Sequence, residues 1–359
     1  MKAERKLAGG SQSGANSIAS TFEDRLRAKS MAPLWTVLHT LVTPVPKSRA
    51  RAAQWKYADV RALVMEGANV ISPEEAERRV LILENPAMPG QSAITNSLYA
   101  GVQLVLPGET APSHRHSQSA LRIVIEGDGG FTTVEGDRVS MYAGDVILTP
   151  AWTWHEHGNP AASPMIWVDG LDVQLVNALD ASFMQHGQNA HRVTTNDDGG
   201  AVYGATMGPM DDAHSPHRQT PAPKRYGYKE TRAALSATSE RGLDPWHGVR
   251  LRFLNPVNGD WPMPTLGPFA QLVPAKTRTE PYRSTDGSIF VVFEGTGAVT
   301  IEGERFSLTP KDVFVVPAWA ARSFEADDDL VLLAYSDRPA QEKLGLWREE
   351  RLGQKANSQ

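Results

Sequence analysis

The chain repeats itself, and the repeat constrains its fold more than any other feature. Gln103-Leu104-Val105 recurs as Gln271-Leu272-Val273, an offset of about 168 residues. Around it, Asn85-Pro86 returns as Asn255-Pro256, and Ile125-Glu126-Gly127-Asp128-Gly129 as Phe293-Glu294-Gly295-Thr296-Gly297. After a one-residue slip, Val134-Glu135-Gly136-Asp137-Arg138 matches Ile301-Glu302-Gly303-Glu304-Arg305, and Pro150-Ala151-Trp152 matches Pro317-Ala318-Trp319. Matches in one order point to two copies of one unit. From about Val80 the runs are short and β-rich, separated by Gly, Pro and Asp, so the unit is all-β, a sandwich or barrel.

A chain of 359 residues has room for two such units plus connections. A net charge of −5 offers no large basic surface, which argues against nucleic acid. The chain has no Cys, so disulfides and thiolate metal ligands are excluded. Residues 1–20 read as a polar tail without the apolar core of a signal peptide. The longest apolar stretch, Pro33 to Val45, is broken by His39, Thr40 and Thr43 and is too short for a membrane span. The expected location is the cytoplasm. Helices are expected near Phe22–Leu41 and Lys56–Gly67, and a short one from Ser72, where Ser-Pro-Glu-Glu is a capping box with proline at the first helical position. One more is expected near Lys229–Ser236, and a short amphipathic helix after Arg338 carrying Leu344, Trp347 and Leu352.

Four of the ten histidines form two tight pairs, His114/His116 and His155/His157. In a strand, residues i and i+2 face the same way, roughly 7 Å apart. Each pair therefore aims both imidazoles in one direction and turns Arg115 or Glu156 the other way. The intervening Leu121–Thr149 stretch holds two strands, a Gly-rich turn and a hairpin at Glu135-Gly136-Asp137, enough to cross a small barrel and return. With thiolates absent, imidazole is the expected ligand for a single divalent metal.

The spacing of glycines around these pairs resembles the two cupin motifs. Gly108, His114-Arg115-His116 and Gly127 match the first; Gly144, Pro150, His155 and Asn159 match the second. By this resemblance His114, His116 and His155 are the metal ligands. Where many cupins carry a metal-binding Glu, this chain has Ala120, so the ligand set is three neutral imidazoles. Such a metal keeps its full charge and an open face, which favours an anionic chelating substrate. An aromatic acid with a hydroxyl ortho to its carboxylate would fill two positions and leave a third for O2. No nucleotide-binding glycine fingerprint is present, and the electrons can come from the ring itself.

The stretches Ala111–Arg122 and Trp152–Asn159, with Ala76-Glu77-Arg78-Arg79 and Leu98-Tyr99-Ala100-Gly101-Val102-Gln103, resemble the gentisate 1,2-dioxygenase family, which includes salicylate 1,2-dioxygenase and 1-hydroxy-2-naphthoate dioxygenase. The resemblance implies a bicupin: two fused antiparallel β-barrels with a helical N-terminal arm. The expected boundaries are 1–79 for tail and arm, 80–194 for the metal-binding barrel, 195–243 for a linker, 244–338 for a second barrel and 339–359 for a C-terminal tail. The resemblance further implies Fe(II), ring cleavage between the carboxyl- and hydroxyl-bearing carbons, and a homotetramer. Three imidazoles by themselves also suit zinc or manganese.

Six residues beyond His116, Arg122 stays on the ligand face of a continuing strand, and by resemblance pairs with the substrate carboxylate, as does Gln103. His157 is assigned to substrate hydrogen bonding or acid–base work near the metal. Arg78, Trp167 and Asp169 match family residues near the site, and Tyr99 and Gly101 are expected to flank the ring. In the second copy the ligand positions hold Tyr282, Ser284 and Arg322, so that barrel is expected to lack a metal. The expected reaction inserts both atoms of O2 into a gentisate-type acid. The alternatives are the same chemistry on salicylate, a substituted salicylate or 1-hydroxy-2-naphthoate, and a non-catalytic cupin that binds a small acid through its metal.

Overall fold

The computed structural model describes residues 22–76, 78–187, 196–197, 224–256 and 258–353. The polar tail at 1–20 and most of the 195–243 stretch lie outside the described residues. The chain falls into two compact units divided after Lys47. In the first, the helix expected over Phe22–Leu41 is broken: Ser30 takes a left-handed φ of 55°, and a new helix runs Leu34–Leu41 behind Pro33. Proline disfavours helical backbone in the residue before it, which explains the interruption. No helix among the described residues is long and apolar enough to cross a membrane.

The second unit contains both copies of the repeat, each folded as two facing sheets, six and six strands in the first barrel and six and five in the second, antiparallel except where the edge strand Asn196–Asp197 runs parallel to Asp137–Met141. The architecture is the expected all-β bicupin. Its strands read as continuous apolar runs because both faces are covered. In Ala120–Glu126, Leu121, Ile123 and Ile125 join a core shared by the two barrels, while Val124 points into the first barrel. In Ser288–Glu294, Ile289 and Val291 enter that same shared core, while Phe290 and Val292 fill the second barrel. This period-two alternation divides each strand between two interiors.

The connections are exchanged between barrels, which the sequence did not lead us to expect. The strand Ala53–Trp55, inside the stretch read as a helical arm, pairs with Val313–Val315 of the second barrel. The helix that follows, Tyr57–Val70, then clasps the first barrel: Tyr57 Oη and the Arg61 guanidinium both donate to Glu126. Between the barrels the same device runs in reverse. Arg225–Tyr226, inside the stretch read as a linker, pairs with Val146–Ile147 of the first barrel. The helix Tyr228–Ser239 then clasps the second barrel through Arg232 and Glu294. A Tyr-x-x-x-Arg start is common to both helices.

At Ser72 the capping box forms as expected: Glu75 N donates to Ser72 Oγ at 3.2 Å and Ser72 N donates to the Glu75 carboxylate at 3.3 Å. The C-terminal expectation needs correction. The helix there spans only Arg338–Lys343, Gly345 turns the chain with φ 70°, and Glu349–Arg351 forms an edge strand on Tyr282–Ser284. Leu344, Trp347 and Leu352 thus do not share a helix; Trp347 instead donates its indole N–H to Asp286 at 2.8 Å.

Candidate metal centre and substrate pocket

The two histidine pairs lie on neighbouring strands, Thr110–His116 and His155–Gly158, with His114 directly opposite His155. A register shift between Ala111 and His114 helps bring His116 onto the same centre. The tight return before the second pair depends on Trp152, held at φ 60°, whose N–H donates to His116 O at 2.7 Å. On the opposite face Arg115 stacks between Trp152 and Trp154, so the strand alternation separates ligand side from packing side as the spacing predicts.

His114, His116 and His155 offer ligand nitrogens that all lie within 4.8 Å of one another. Each ring is oriented by a backbone carbonyl two residues away. Nδ1 lies 3.1 Å from Pro112 O in His114, 2.8 Å from Gln118 O in His116, and 2.9 Å from Thr153 O in His155. A carbonyl can only accept, so Nδ1 carries the proton and Nε2 presents its lone pair. His155 Nε2 is buried without a hydrogen-bond partner, a cost that a metal ion would remove. Burial pushes the His114 ring down to about 2 and that of His116 to about 4, and holds His155 well below the usual imidazole range. Neutral imidazoles are what a divalent cation requires. These donors fit a divalent metal. The guanidinium of Arg78, from just before the Arg79–Ile82 strand, lies against the His114 ring.

Behind the triad is a buried polar network. Arg122, 4% exposed, donates from one terminal nitrogen to Thr149 Oγ1 at 2.6 Å and from the other to His157 Nε2 at 2.9 Å, while its Nε faces Asp169 at 3.3 Å. Since the guanidinium must donate, His157 Nε2 accepts, and His157 Nδ1–H donates to Thr132 Oγ1 at 2.9 Å. Burial and the Arg122 charge keep His157 neutral, with its free lone pair already engaged. Any acid–base role for His157 therefore requires this bond to open. Trp167 Nε1–H donates to Asp169 at 3.0 Å, and burial raises the Asp169 carboxyl.

The remaining expected residues gather on the adjacent strand. Tyr99, Gly101 and Gln103 share one face of Tyr99–Val105, where Gly101 lies opposite Asp169 and Gln103 opposite Trp167. A methyl group at Gly101 would come within 2.7 Å of the Tyr99 hydroxyl and 2.5 Å of Val80, so glycine alone leaves that space open. Gln103 and Arg78 line one small pocket. Sequence reasoning missed Thr132 and Thr149. Thr132 sits directly across from His157, and Thr149 ends the apolar Val146–Leu148 run, so a lone hydroxyl at a barrel-facing position was the available signal.

In the second barrel the equivalents are Tyr282, opposite Arg322, and Ser284, which accepts the backbone N–H of Trp319 as His116 accepts that of Trp152. No imidazole occupies these positions.

A cupin-domain model matches residues 101–173. A gentisate 1,2-dioxygenase of Aquipseudomonas alcaligenes is 46% identical over 92% of this chain and 95% of its own length. A 5-aminosalicylate 1,2-dioxygenase of a Comamonas species is 36% identical over 93% of this chain and 90% of its length. Among solved structures, salicylate 1,2-dioxygenase of Pseudoaminobacter salicylatoxidans, determined as gentisate adducts, superposes with a TM-score of 0.84 at 34% identity, covering 97% of this chain and 96% of that one. These similarities span more than nine-tenths of the chain, and the chain belongs to the gentisate 1,2-dioxygenase family of bicupin ring-cleaving dioxygenases.

Proposed function

We propose that this enzyme uses Fe(II), held by His114, His116 and His155, to cleave a gentisate-type acid between its carboxyl- and hydroxyl-bearing carbons, with both atoms of O2 entering the product. The observation that carries the reading is the convergence of three proton-anchored imidazoles beside a buried arginine. When bound there, iron supplies coordination positions for a chelating acid and O2 and a route for electrons from ring to oxygen. Arg122 pairs with the carboxylate, a charge-assisted bond in a site where water is excluded. His157 and Thr149 aim that guanidinium, and Asp169 neutralises it in the resting state.

Gln103 supplies a second contact to the carboxylate. Arg78, which lies against His114 in this structure, turns to the same anion when metal and substrate fill the site. Tyr99 flanks the ring over the gap left by Gly101, and Trp167 holds Asp169 in place. The chain self-associates, as a homotetramer, through apolar surface: the helix Leu34–Leu41 buries none of its residues and leaves Trp35 70% exposed. Sedimentation equilibrium tests that assembly. For the reaction, anaerobically iron-loaded enzyme is mixed with gentisate or salicylate, air is admitted, and oxygen uptake is followed with ¹⁸O₂ labelling of the product. Rapid uptake with gentisate and two labelled atoms per product supports the assignment. Uptake with salicylate alone would move the substrate to the salicylate class, and none with any ortho-hydroxy acid would leave a binding protein.

A further inference from the structure

We propose that the mouth of the second barrel is a metal-free binding site for a small aromatic carboxylate, with Arg250 as its principal anion contact. A cavity of about 250 Å³ opens there, lined by Arg250, Arg252, Arg338, Trp261, Phe269 and Asp286. That volume exceeds the roughly 150 Å³ known to hold a single benzene ring and falls short of the ~300 Å³ at which drug-sized pockets begin. Its walls combine cations with two aromatic faces, the recognition chemistry of a ring bearing a carboxylate.

The positive charge here is balanced only in part: Asp286 acts on Arg322 from the cavity wall without forming an ion pair with it. Arg338 is paired, donating to Glu342 at 2.7 Å, and Arg252 donates to Gly259 O at 3.2 Å and lies over Trp261. Arg250 and Arg322 have no ion pair with a carboxylate among the described residues; both instead lie against one ring, that of Tyr282, at 5.1 and 4.9 Å. Arg322 is 3% exposed and stands where the first barrel has His155. Burial and the neighbouring Arg250 lower its guanidinium to about 10, which leaves it charged at neutral pH. Asp286 is the acid on the cavity wall, and its oxygens are engaged by Ser288 and Trp347. Buried acceptors nearby are also unmet. His247 Nε2, whose ring packs on Tyr282, has no partner, nor has Gln271 Oε1, directly across from Arg250. Arg250, on the cavity wall, and the buried Arg322 repel each other, and an anion held at Arg250 offsets that repulsion. Where the first barrel has a metal ligand the second has a fixed positive charge, so its site suits an anion rather than a cation.

Equilibrium dialysis of labelled benzoate against the full-length, iron-loaded enzyme tests this. Benzoate lacks the ortho-hydroxyl and cannot chelate through it. Two sites per chain are expected, one weakened by Arg122→Met in the first barrel and the other by Arg250→Ala. Loss of a charged hydrogen bond weakens the second site on the order of tenfold or more. Arg250→Lys should restore part of it. Arg250 reaches the surface, so its replacement spares the core; Arg322→Met is informative only if near-UV circular dichroism is retained. An isotherm unchanged by Arg250→Ala, or a single site abolished by Arg122→Met, overturns the proposal. Sulfate competing as tightly as benzoate would overturn its aromatic component.

Discussion

The two barrels share a backbone plan and differ in what fills it. Both hairpins turn on a Glu-Gly pair with positive φ, Glu135-Gly136 and Glu302-Gly303, and in both the glutamate accepts a backbone N–H from the loop ahead of the second histidine position. Both loops carry a left-handed Trp, 152 or 319. Inside, position after position is exchanged. Strand register sets Arg122 against Phe290, His157 against Phe324, Thr132 against Val299, Thr149 against Val316 and Asp169 against Ala334. Gly101, the gap beside Tyr99, corresponds to Phe269. The phenylalanines form one cluster, Phe290 stacked on Phe314 at 4.9 Å and edge-on to Phe269 and Phe324. Each buried polar group in the first barrel needs its partners, whereas aromatic packing stabilises without them. At these matched positions the first barrel is polar inside and the second is apolar.

The hardest test of this contrast compares equivalent positions. His155→Ala should abolish both metal retention and oxygen uptake, measured by elemental analysis and an oxygen electrode. Arg322→Met should leave metal content at one ion per chain. If His155→Ala binds metal normally, the division between barrels fails. Next in size is Arg122→Met, expected to lower kcat/KM on the order of a hundredfold or more, with Arg122→Lys recovering only part, because a point charge cannot reproduce the fork held by Thr149 and His157. Phe290→Ala, at the matching position, should change unfolding rather than turnover.

Stability gives a finer comparison. Phe269→Ala should cost about 3–5 kcal/mol in denaturant unfolding, as for other buried Phe truncations. Gly101→Ala should cost about 1–3 kcal/mol by overpacking against Val80 and also disturb the Tyr99 side of the site. Equal, small effects would mean that the two interiors are packed alike. Smallest is the helix clasp. The Arg61 guanidinium holds the Glu126 carboxyl down at about 2, below its ordinary value of 4.5. Its contribution is thus complete above that ordinary value and disappears as pH falls toward 2. Glu126→Gln should lower stability by about 1 kcal/mol at neutral pH, with the gap to wild type closing on acidification.

Much of this was legible in the sequence because it rests on local chemistry. His-x-His spacing places two rings on one strand face whatever surrounds the strand, and the repeated Glu-Gly and Pro-Ala-Trp segments specify turns by themselves. The exchange of Ala53–Trp55 and Arg225–Tyr226 between barrels was not legible, since strand partners so distant in sequence leave no periodic trace. The role of Thr132 as the acceptor that fixes the His157 tautomer depends on a cross-strand neighbour and was hidden for the same reason. Gly345 was visible but under-read: a left-handed glycine ends a helix even where apolar spacing invites it to continue.

The reciprocal strands give a copy without histidine ligands a structural part in the molecule. Each barrel caps a sheet edge of the other, and Tyr335 of the second donates its hydroxyl to the backbone of Tyr99, on the strand that carries Gly101 and Gln103. Neither copy could be deleted without uncovering a bare edge on its neighbour. Interlacing makes the pair indivisible, so one copy can do without histidine ligands while its architecture stays obligatory.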